Sequence, residues 1–495
     1  MESNIIKIND YTLLKNRVKF NNLIDQYIKN SKKIDCSYVY FFSFDDIDQK
    51  KLYILLDEKS NSFAKISSRF LPDLNLNKHK YLLGYEELKF FKNITENFYS
   101  NVSLLKNNHI EPYNFTRFSN INNLDNYKHI FKSYHFDNKV IKKHNKILRL
   151  GFYILPRNKS PGFNNFRAIV PHLAKHFDIY FFLDNDQSLL DSYDMRFFKD
   201  VTVFNVDKLN SNQLYEKIKS MDLSLLIYIY GFYSRKDLVL KKPCNIQIHF
   251  QEPPVIYPKS CFDFNLIDIH LYDILKKYSN LDFNYYGFIN LKKNFILPIP
   301  FYSDYSKTFC PNVNSDDIKI GVICYDPKIC YKFIDLVNKI ILLNDKITFT
   351  FYGNIDSEWF NILFNNPKIK KDIYNNKNPD KLLTNYLLID TINYNNHSTA
   401  LEALKLKIPF IGISNYRRYN ACFSQSLLKS IKMENELLVD SSSKMIKLIE
   451  KYINDKEFYL QMCNKLSNNI DKYFTYEYYS NDFVDTLNQF YESLN

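Results

Sequence analysis

Glycine is scarce in this 495-residue chain, which holds only 8. Neither G-x-G-x-x-G nor G-x-x-x-x-G-K-[ST] occurs. Both motifs need glycines to bring backbone N–H groups against phosphates, so a dinucleotide fingerprint and a P-loop are disfavoured. The 8 cysteines are scattered, at Cys36, Cys244, Cys261, Cys310, Cys324, Cys330, Cys422 and Cys463, with no C-x-x-C pair. A zinc ribbon or a thioredoxin-like pair is thereby unsupported, and several of these thiols lie in apolar runs, as core cysteines of a reducing compartment do. There is no H-E-x-x-H and no clustered His/Cys set, so no metal is expected. No window reaches the roughly 18 uncharged apolar residues of a membrane helix. The amino end has no basic segment followed by an apolar run, so no secretory leader is expected there. These absences together point to a cytoplasmic chain without a membrane span.

A one-signed charge block is also missing. The net charge is +12 and the pI about 8.9, which by itself would suit a polyanionic partner. The positive residues are interspersed with acids and form no basic tail, so a solvated surface is the better reading and no nucleic-acid partner is expected. Hydrophobic residues make up 45% of the chain, enough for sizeable cores in two or three domains. Tyr, Phe, Asn, Lys and Ile are heavily used, a bias in keeping with an AT-rich genome, which lowers the weight of the Lys and Asn content.

Residues 1–145 show helical spacing in places, as in Leu13, Leu14, Val18, Leu23, Ile24 and Tyr27, and read as a mainly helical region. No period of ~34 residues repeats, so no tetratricopeptide array is expected. From Leu148 the texture alternates between apolar runs of strand length and amphipathic segments. Leu148–Leu155, Asp178–Leu183, Leu223–Tyr230, Cys244–Phe250 and Leu266–Tyr272 read as strands of one doubly wound lobe over 146–312. Asp317–Cys324, Lys346–Tyr352, Tyr386–Asp390 and Phe410–Ile413 read as strands of a second lobe over 313–495. Its terminal helix, near Tyr478–Leu494, is placed to cross back to the first.

One stretch of the second lobe carries the chemistry. In NYLLIDTINYNNHSTALEALKLKIPFIGI, Tyr386–Asp390 is a strand, Thr391–Asn396 a polar loop, and His397-Ser398-Thr399 opens a helix. A helix start is an anion site, since its first N–H groups lack partners and the dipole is positive there. Two hydroxyls and an imidazole add donors for a phosphate, and Glu402, in the second turn, is within reach of a ribose hydroxyl on the same ligand. Ser and Thr are also ordinary helix caps, and the local pattern alone leaves both readings open.

The run as a whole resembles the donor segment of the family-41 glycosyltransferases, the protein O-linked N-acetylglucosamine transferases and their bacterial relatives, with its pattern LDT-x5-HTTGxDxLxxGxP. Asp390, Thr391, His397, Ser398, Thr399, Glu402, Leu404 and Pro409 fall in register with it. Glu402 stands for the family's aspartate, and Ala400 and Lys407 for glycines. Weaker likenesses lie in LRLGFY and in the segment from Gly231 through Lys242–Gln247. The resemblance implies a GT-B fold: two Rossmann-like lobes, acceptor side first and donor side second. It implies no cofactor beyond a nucleotide-sugar co-substrate, UDP-linked in the family, and inverting, metal-independent transfer to a protein side chain. On the donor side it points to His397, Ser398, Thr399 and Glu402, and to Arg418 after the Phe410 strand. Asn378 and Lys381 fall where the family places a histidine and an arginine near the uracil. The family's leaving-phosphate lysine precedes an Asp-Pro pair; here the pair is Asp326-Pro327, Cys324 fills the matching place, and Lys328 follows instead. On the acceptor side the family's histidines, in the loop 156–163 and just after Asp222, are absent. Asp222, His249 and Glu252 are the candidates left for acid–base work. Two alternatives stay beside this reading: a glycan or small-molecule acceptor, and a catalytically degenerate scaffold that kept the fold.

Overall fold

The structure is a computed structural model. It describes residues 5–7, 33–35 and most of 149–494; the stretches 155–168, 185–197, 230–234, 251–255, 292–308 and 312–316 and a number of positions between 310 and 420 lie outside the description. The helical expectation for 1–145 therefore falls outside the described residues, apart from a short parallel pair, Ile5–Lys7 with Lys33–Asp35.

The first lobe is built on β1 (Arg149–Ile154), β2 (Asp178–Leu183), β3 (Thr202–Asn205), β4 (Leu225–Tyr228), β5 (Gln247–Phe250), β6 (Phe264–Asp268) and β7 (Phe288–Leu291). These strands form one sheet in the order β3-β2-β1-β4-β5-β6-β7, all pairs parallel. Helices α1 (Val170–Leu173), α2 (Ser211–Ser220), α3 (Lys236–Lys241) and α4 (Ile269–Tyr278) connect them. Every residue of β4 is buried, as a central parallel strand covered on both faces must be. α2 begins on a reciprocal cap: the Asn210 side chain accepts from the N–H groups of Asn212 and Gln213, and Gln213 Oε1 accepts from Asn210 N–H. Such a pair satisfies donors the first turn would leave unused.

The second lobe repeats the plan. Its strands are β8 (Ile318–Ile323), β9 (Ile347–Tyr352), β10 (Ile369–Asp372), β11 (Leu387–Ile389), β12 (Phe410–Ile413) and β13 (Leu438–Val439), in the order β10-β9-β8-β11-β12-β13, again all parallel. Its helices are α5 (Tyr331–Ile341), α6 (Ser398–Lys405), α7 (Phe423–Ser430), α8 (Glu434–Leu437), α9 (Ser442–Asn454), α10 (Lys456–Tyr473) and α11 (Tyr476–Ser493). Read from its own first strand, each sheet runs 3-2-1-4-5-6, the doubly wound order, and the first adds a seventh strand at the end. At the end of β9, a Cβ on Gly353 would lie 1.8 Å from the Cys324 carbonyl oxygen. Only glycine permits that approach at the carboxyl end of β8.

The lobes are joined by contact as well as by chain. α11 returns to the first lobe, where Phe483 meets Phe250 and Phe490 meets Phe264 at centroid distances of 6.1 and 4.6 Å. Tyr278 at the end of α4 stacks on Tyr416 of the second lobe at 4.5 Å.

The expected strand Leu266–Tyr272 is half right. It ends at Asp268, whose carboxylate accepts from Leu271 N–H at 2.9 Å and starts α4. An apolar run does not separate a buried strand from a buried helix; the cap does. β10 escaped the sequence reading because its IKKD buries only Ile369, the charged signature of an edge strand.

Candidate functional site

In an open doubly wound sheet the ligand crevice lies beyond the carboxyl ends of the strands, where the order reverses. In the second lobe that point falls between β8 and β11. The chain leaving β8 brings Lys328 there, and the chain leaving β11 forms the polar loop 391–397.

The loop is held from beneath by Asp390. This carboxylate is fully buried. It accepts from the N–H groups of Thr391 at 2.8 Å and Asn396 at 2.7 Å, and from the Ser424 hydroxyl of α7. Burial pushes its pKa up, while the Ser424 hydroxyl, the Lys328 ammonium and the two N–H groups pull the other way. Asn395 is fully buried as well; its amide donates to the carbonyls of Thr391 and Ile413, both at 3.1 Å, and its Oδ1 accepts from Ser424 N–H at 3.3 Å. Lys328 crosses from the β8 side. Its ammonium donates to the Asn395 carbonyl at 3.2 Å and to Asn396 Oδ1 at 2.6 Å, and lies 4.7 Å from the Tyr394 ring centre. Thr399 Oγ1 donates to the same Asn396 oxygen at 3.1 Å.

α6 rises from this loop. Ala400, Leu401, Ala403 and Leu404 are buried, so the helix is anchored along its length and its start is fixed. His397 stands at the helix start, partly buried, its ring 3.9 Å from Phe423 and 5.3 Å from Tyr394 between centroids. Glu402 is buried with no hydrogen-bond partner on Oε2. Burial alone pushes its carboxyl up to about 8, so at neutral pH it is mainly protonated and can donate as well as accept. The unfolded carboxyl releases its proton near the ordinary 4.5, the folded one only near 8. Between those values the unfolded state binds fewer protons, so Glu402 lowers stability progressively as pH rises. The expected result is a melting-temperature difference, Glu402→Gln minus wild type, that grows from pH 5 to 8 and then levels off. Thermal melts across that range check it.

The carboxyl ends of the two sheets meet at α7. Ser424 reaches Asp390, which follows β11, and Ser426 donates to Asp268, the last residue of β6, at 2.6 Å.

No protein-family model matches the chain, and no curated protein matches it by sequence. Solved structures do match by shape. An O-GlcNAc transferase from Thermobaculum terrenum, in a mutant form, aligns with a TM-score of 0.62 at 13% identity, over 82% of this chain and 80% of that one. The chain has the GT-B fold. Anabaena HepE, solved with UDP and glucose, aligns with a TM-score of 0.47 at 8% identity, over 69% of this chain and 100% of that one.

Within the GT-B frame the expected site residues separate. Lys328, His397 and Thr399 come together at the switch point, and Glu402 lies on the same helix. Cys324, which the resemblance aligns with a lysine, is buried after β8 with its N–H bonded to the Tyr352 carbonyl at 2.9 Å, and among the described residues Lys328 is the cation brought to this point. Lys381 pairs with Asp372, at the carboxyl end of the edge strand β10, at 2.8 Å. Arg418, Asn378, Glu252 and the side chain of Ser398 lie outside the described residues.

Two acceptor-side candidates sit where the geometry does not favour acid–base work. Asp222 precedes β4, at the amino end of the first sheet, opposite the carboxyl ends. It is exposed in a turn with a φ of 48°, beside Met221, whose carbonyl accepts from Arg149 Nη1 at 2.9 Å. It is a turn residue. His249 is fully buried within β5, between the rings of Tyr257 (4.6 Å) and Phe262 (5.4 Å). Neither of its nitrogens has a hydrogen-bond partner, and the neighbouring Asn265 amide is spent on Tyr257 and Gly287. Burial lowers its pKa to about 3, with the Asn265 side chain pulling the other way, so the ring is neutral at ordinary pH. His249→Leu should leave the shape of a pH–rate profile between roughly pH 5 and 9 unchanged; a shifted limb in that profile would return His249 to the chemistry.

The sequence reading missed the brace at the carboxyl end of the first sheet. Arg235 grips Asp184, after β2, with two bonds of 2.8 and 2.6 Å and reaches the Val206 carbonyl at 2.9 Å. The Tyr153 hydroxyl donates to the same carboxylate. Three residues so far apart in sequence give no local signal. Among the described residues no three His, Cys, Asp or Glu side chains converge as metal ligands, and no helix is long and apolar enough to cross a membrane.

Proposed function

We propose that the chain is a glycosyltransferase that takes a sugar from a nucleoside-diphosphate donor, of the UDP class, and passes it to a hydroxyl of a glycan or small molecule. The observation that carries the reading is what gathers between β8 and β11: a buried ammonium, a braced loop and the start of a fully anchored helix. All three favour an anion, and they lie where a doubly wound sheet receives its ligand. The diphosphate rests against the start of α6, with His397 and the backbone N–H of Thr399 as donors and the Lys328 charge below. A ribose hydroxyl meets Glu402, whose otherwise unused Oε2 costs about 1–3 kcal/mol to bury alone. As the glycosidic bond breaks, negative charge grows on the departing phosphate. Fixed donors and a buried cation stabilise that charge more than they stabilise the intact donor. Transfer is inverting and uses side chains rather than a metal for leaving-group charge.

The in-register segment Asp390–Pro409 supports the UDP class, and the shape match to an O-GlcNAc transferase supports the fold such a donor would use. The family's protein acceptor is not carried over, because the stiff Pro253-Pro254 pair stands where the resembled family has a glycine-rich loop, and a glycan or small-molecule acceptor is proposed in its place.

A thermal-shift screen with nucleotides and nucleotide sugars, run on wild type and His397→Ala, tests the donor. UDP or a UDP-sugar should stabilise the wild type and act weakly on the variant, and the wild type should release free UDP slowly from the matching sugar nucleotide. Stabilisation by no nucleotide at all would overturn the enzyme reading in favour of a scaffold. Labelled sugar appearing in protein rather than in glycan or small-molecule fractions would overturn the acceptor assignment.

A further inference from the structure

α7 is an unusual helix for a lobe junction. Ser424, Gln425, Ser426 and Ser430 are all buried in it, where a junction helix ordinarily buries aliphatic side chains. Each has a defined partner. Gln425 Oε1 accepts from the Ser414 hydroxyl, just past β12, at 2.8 Å, and Ser430 bonds back to the Ser426 carbonyl at 2.9 Å. The other two serines are spaced i, i+2, about 200° apart around a helix, so they face opposite ways. Ser424 reaches Asp390 and, through its N–H, Asn395; Ser426 reaches Asp268. Asp390 in turn holds the N–H of Asn396. An unbroken buried path therefore runs from the last residue of β6 in the first lobe, through α7, to the loop that opens α6.

We propose that α7 is a strut through which the first lobe sets the nucleotide loop, with Ser426 and Asp268 as positioning residues. When the lobes are together, the Asp268–Ser426 bond fixes the rotation of α7, and the Ser424–Asp390 bond fixes the loop. When they part, the first bond goes and the second loosens. The junction is suited to parting because it is not saturated. Asp268 Oδ2 and the hydroxyls of Tyr419 and Tyr479 are buried without hydrogen-bond partners, and both tyrosines feel the Asp268 charge. Donor binding and lobe closure thus become coupled events rather than independent ones.

The strut does not depend on what the loop binds; only its second test rests on the nucleotide reading. Amide hydrogen exchange on the full chain is compared for wild type, Ser426→Ala, Ser426→Thr, Asp268→Asn and Asp268→Ala. Loss of a hydrogen bond to a buried carboxylate should speed exchange in 391–397 by about tenfold in Ser426→Ala, with β8 and β9 unchanged. Ser426→Thr keeps the hydroxyl, and Asp268→Asn keeps an acceptor; both should restore slow exchange. Asp268→Ala should match Ser426→Ala, giving a second route should either alanine variant fold poorly. Faster exchange confined to 264–278 and 423–430, or spread evenly over the chain, would overturn the strut. In the second test Ser426→Ala should weaken UDP binding about tenfold and leave uridine binding unchanged. If the wild type binds UDP and the variant binds it equally well, the strut falls and the donor site stands. If the wild type binds no UDP, the donor reading falls, and the exchange result alone decides the strut.

Discussion

Replacing Lys328 by methionine is expected to remove most of the catalytic power while the fold survives. The ammonium is buried, held by the Asn395 carbonyl and Asn396 Oδ1, and is the cation placed beneath the loop at the switch point. Methionine keeps the length and flexibility of the side chain and deletes the charge. Removing one preorganised donor from a site of developing negative charge typically costs a factor of about 10² to 10³ in kcat, and a buried charge belongs at the upper end of that range. The effect on ground-state binding should be smaller, because an intact diphosphate spreads its charge while the departing one concentrates it. kcat should therefore fall much further than KM rises, and the thermal stabilisation given by UDP should shrink while that given by uridine persists. Arginine is not a substitute here: the planar fork is too large for a site with two contacts at 2.6 and 3.2 Å and spreads the charge differently. Equal turnover by Lys328→Met and wild type would leave the leaving phosphate without its assigned partner and refute this account of the chemistry.

The roles of Lys328 and its neighbours show what a sequence can and cannot disclose. The two sheets were legible because buried parallel strands are apolar runs, as in LSLLIYIY around β4. The strand–loop–helix at 386–406 was legible because a polar loop sits between an apolar run and a helical period. Strand ends were less so. Asp268 stops β6 by capping α4, and this cap reads as one more residue of an apolar stretch. Side-chain depth was the weakest inference. His249 ends an apolar run beside a polar segment, which reads as the rim of a sheet, yet it is enclosed by two aromatic rings. Asp222 stands next to a strand in either direction of reading, and only topology shows that it lies at the amino end. Lys328 was recognisable only as a displaced charge. Its partners lie 67 and 68 residues along the chain, a separation that no periodicity reports. The same holds for Ser424 and Ser426, whose run FSQSLLKS looks like an amphipathic surface helix until both flanks are seen to be covered.

The largest effect on stability is expected from Asp390→Ala. The carboxylate is wholly buried and accepts three hydrogen bonds, from Thr391 N–H, Asn396 N–H and the Ser424 hydroxyl. Alanine leaves two backbone donors and a hydroxyl without acceptors, and it leaves the buried Lys328 ammonium without the opposing charge that acts on it. Each buried donor left without an acceptor costs about 1–3 kcal/mol, less what the loop regains by relaxing toward water, and the lost attraction to Lys328 adds a smaller part. Such a loss is a large fraction of the stability of an ordinary domain. Asp390→Asn separates shape from charge. Its amide oxygen can still accept from the two N–H groups, and the Ser424 hydroxyl can turn to accept from the new NH₂. Most of the stability should return, while the Lys328 charge goes uncompensated. Chemical denaturation of the two variants beside wild type measures the difference. A near-wild-type midpoint for Asp390→Ala would mean that the loop is not held from beneath. A midpoint for Asp390→Asn as low as that of the alanine variant would mean that the charge, not the hydrogen bonding, is what Asp390 contributes. The double variant Asp390→Asn with Lys328→Met removes both charges. It should be more stable than Lys328→Met alone, because no buried ion is then left without its counterpart.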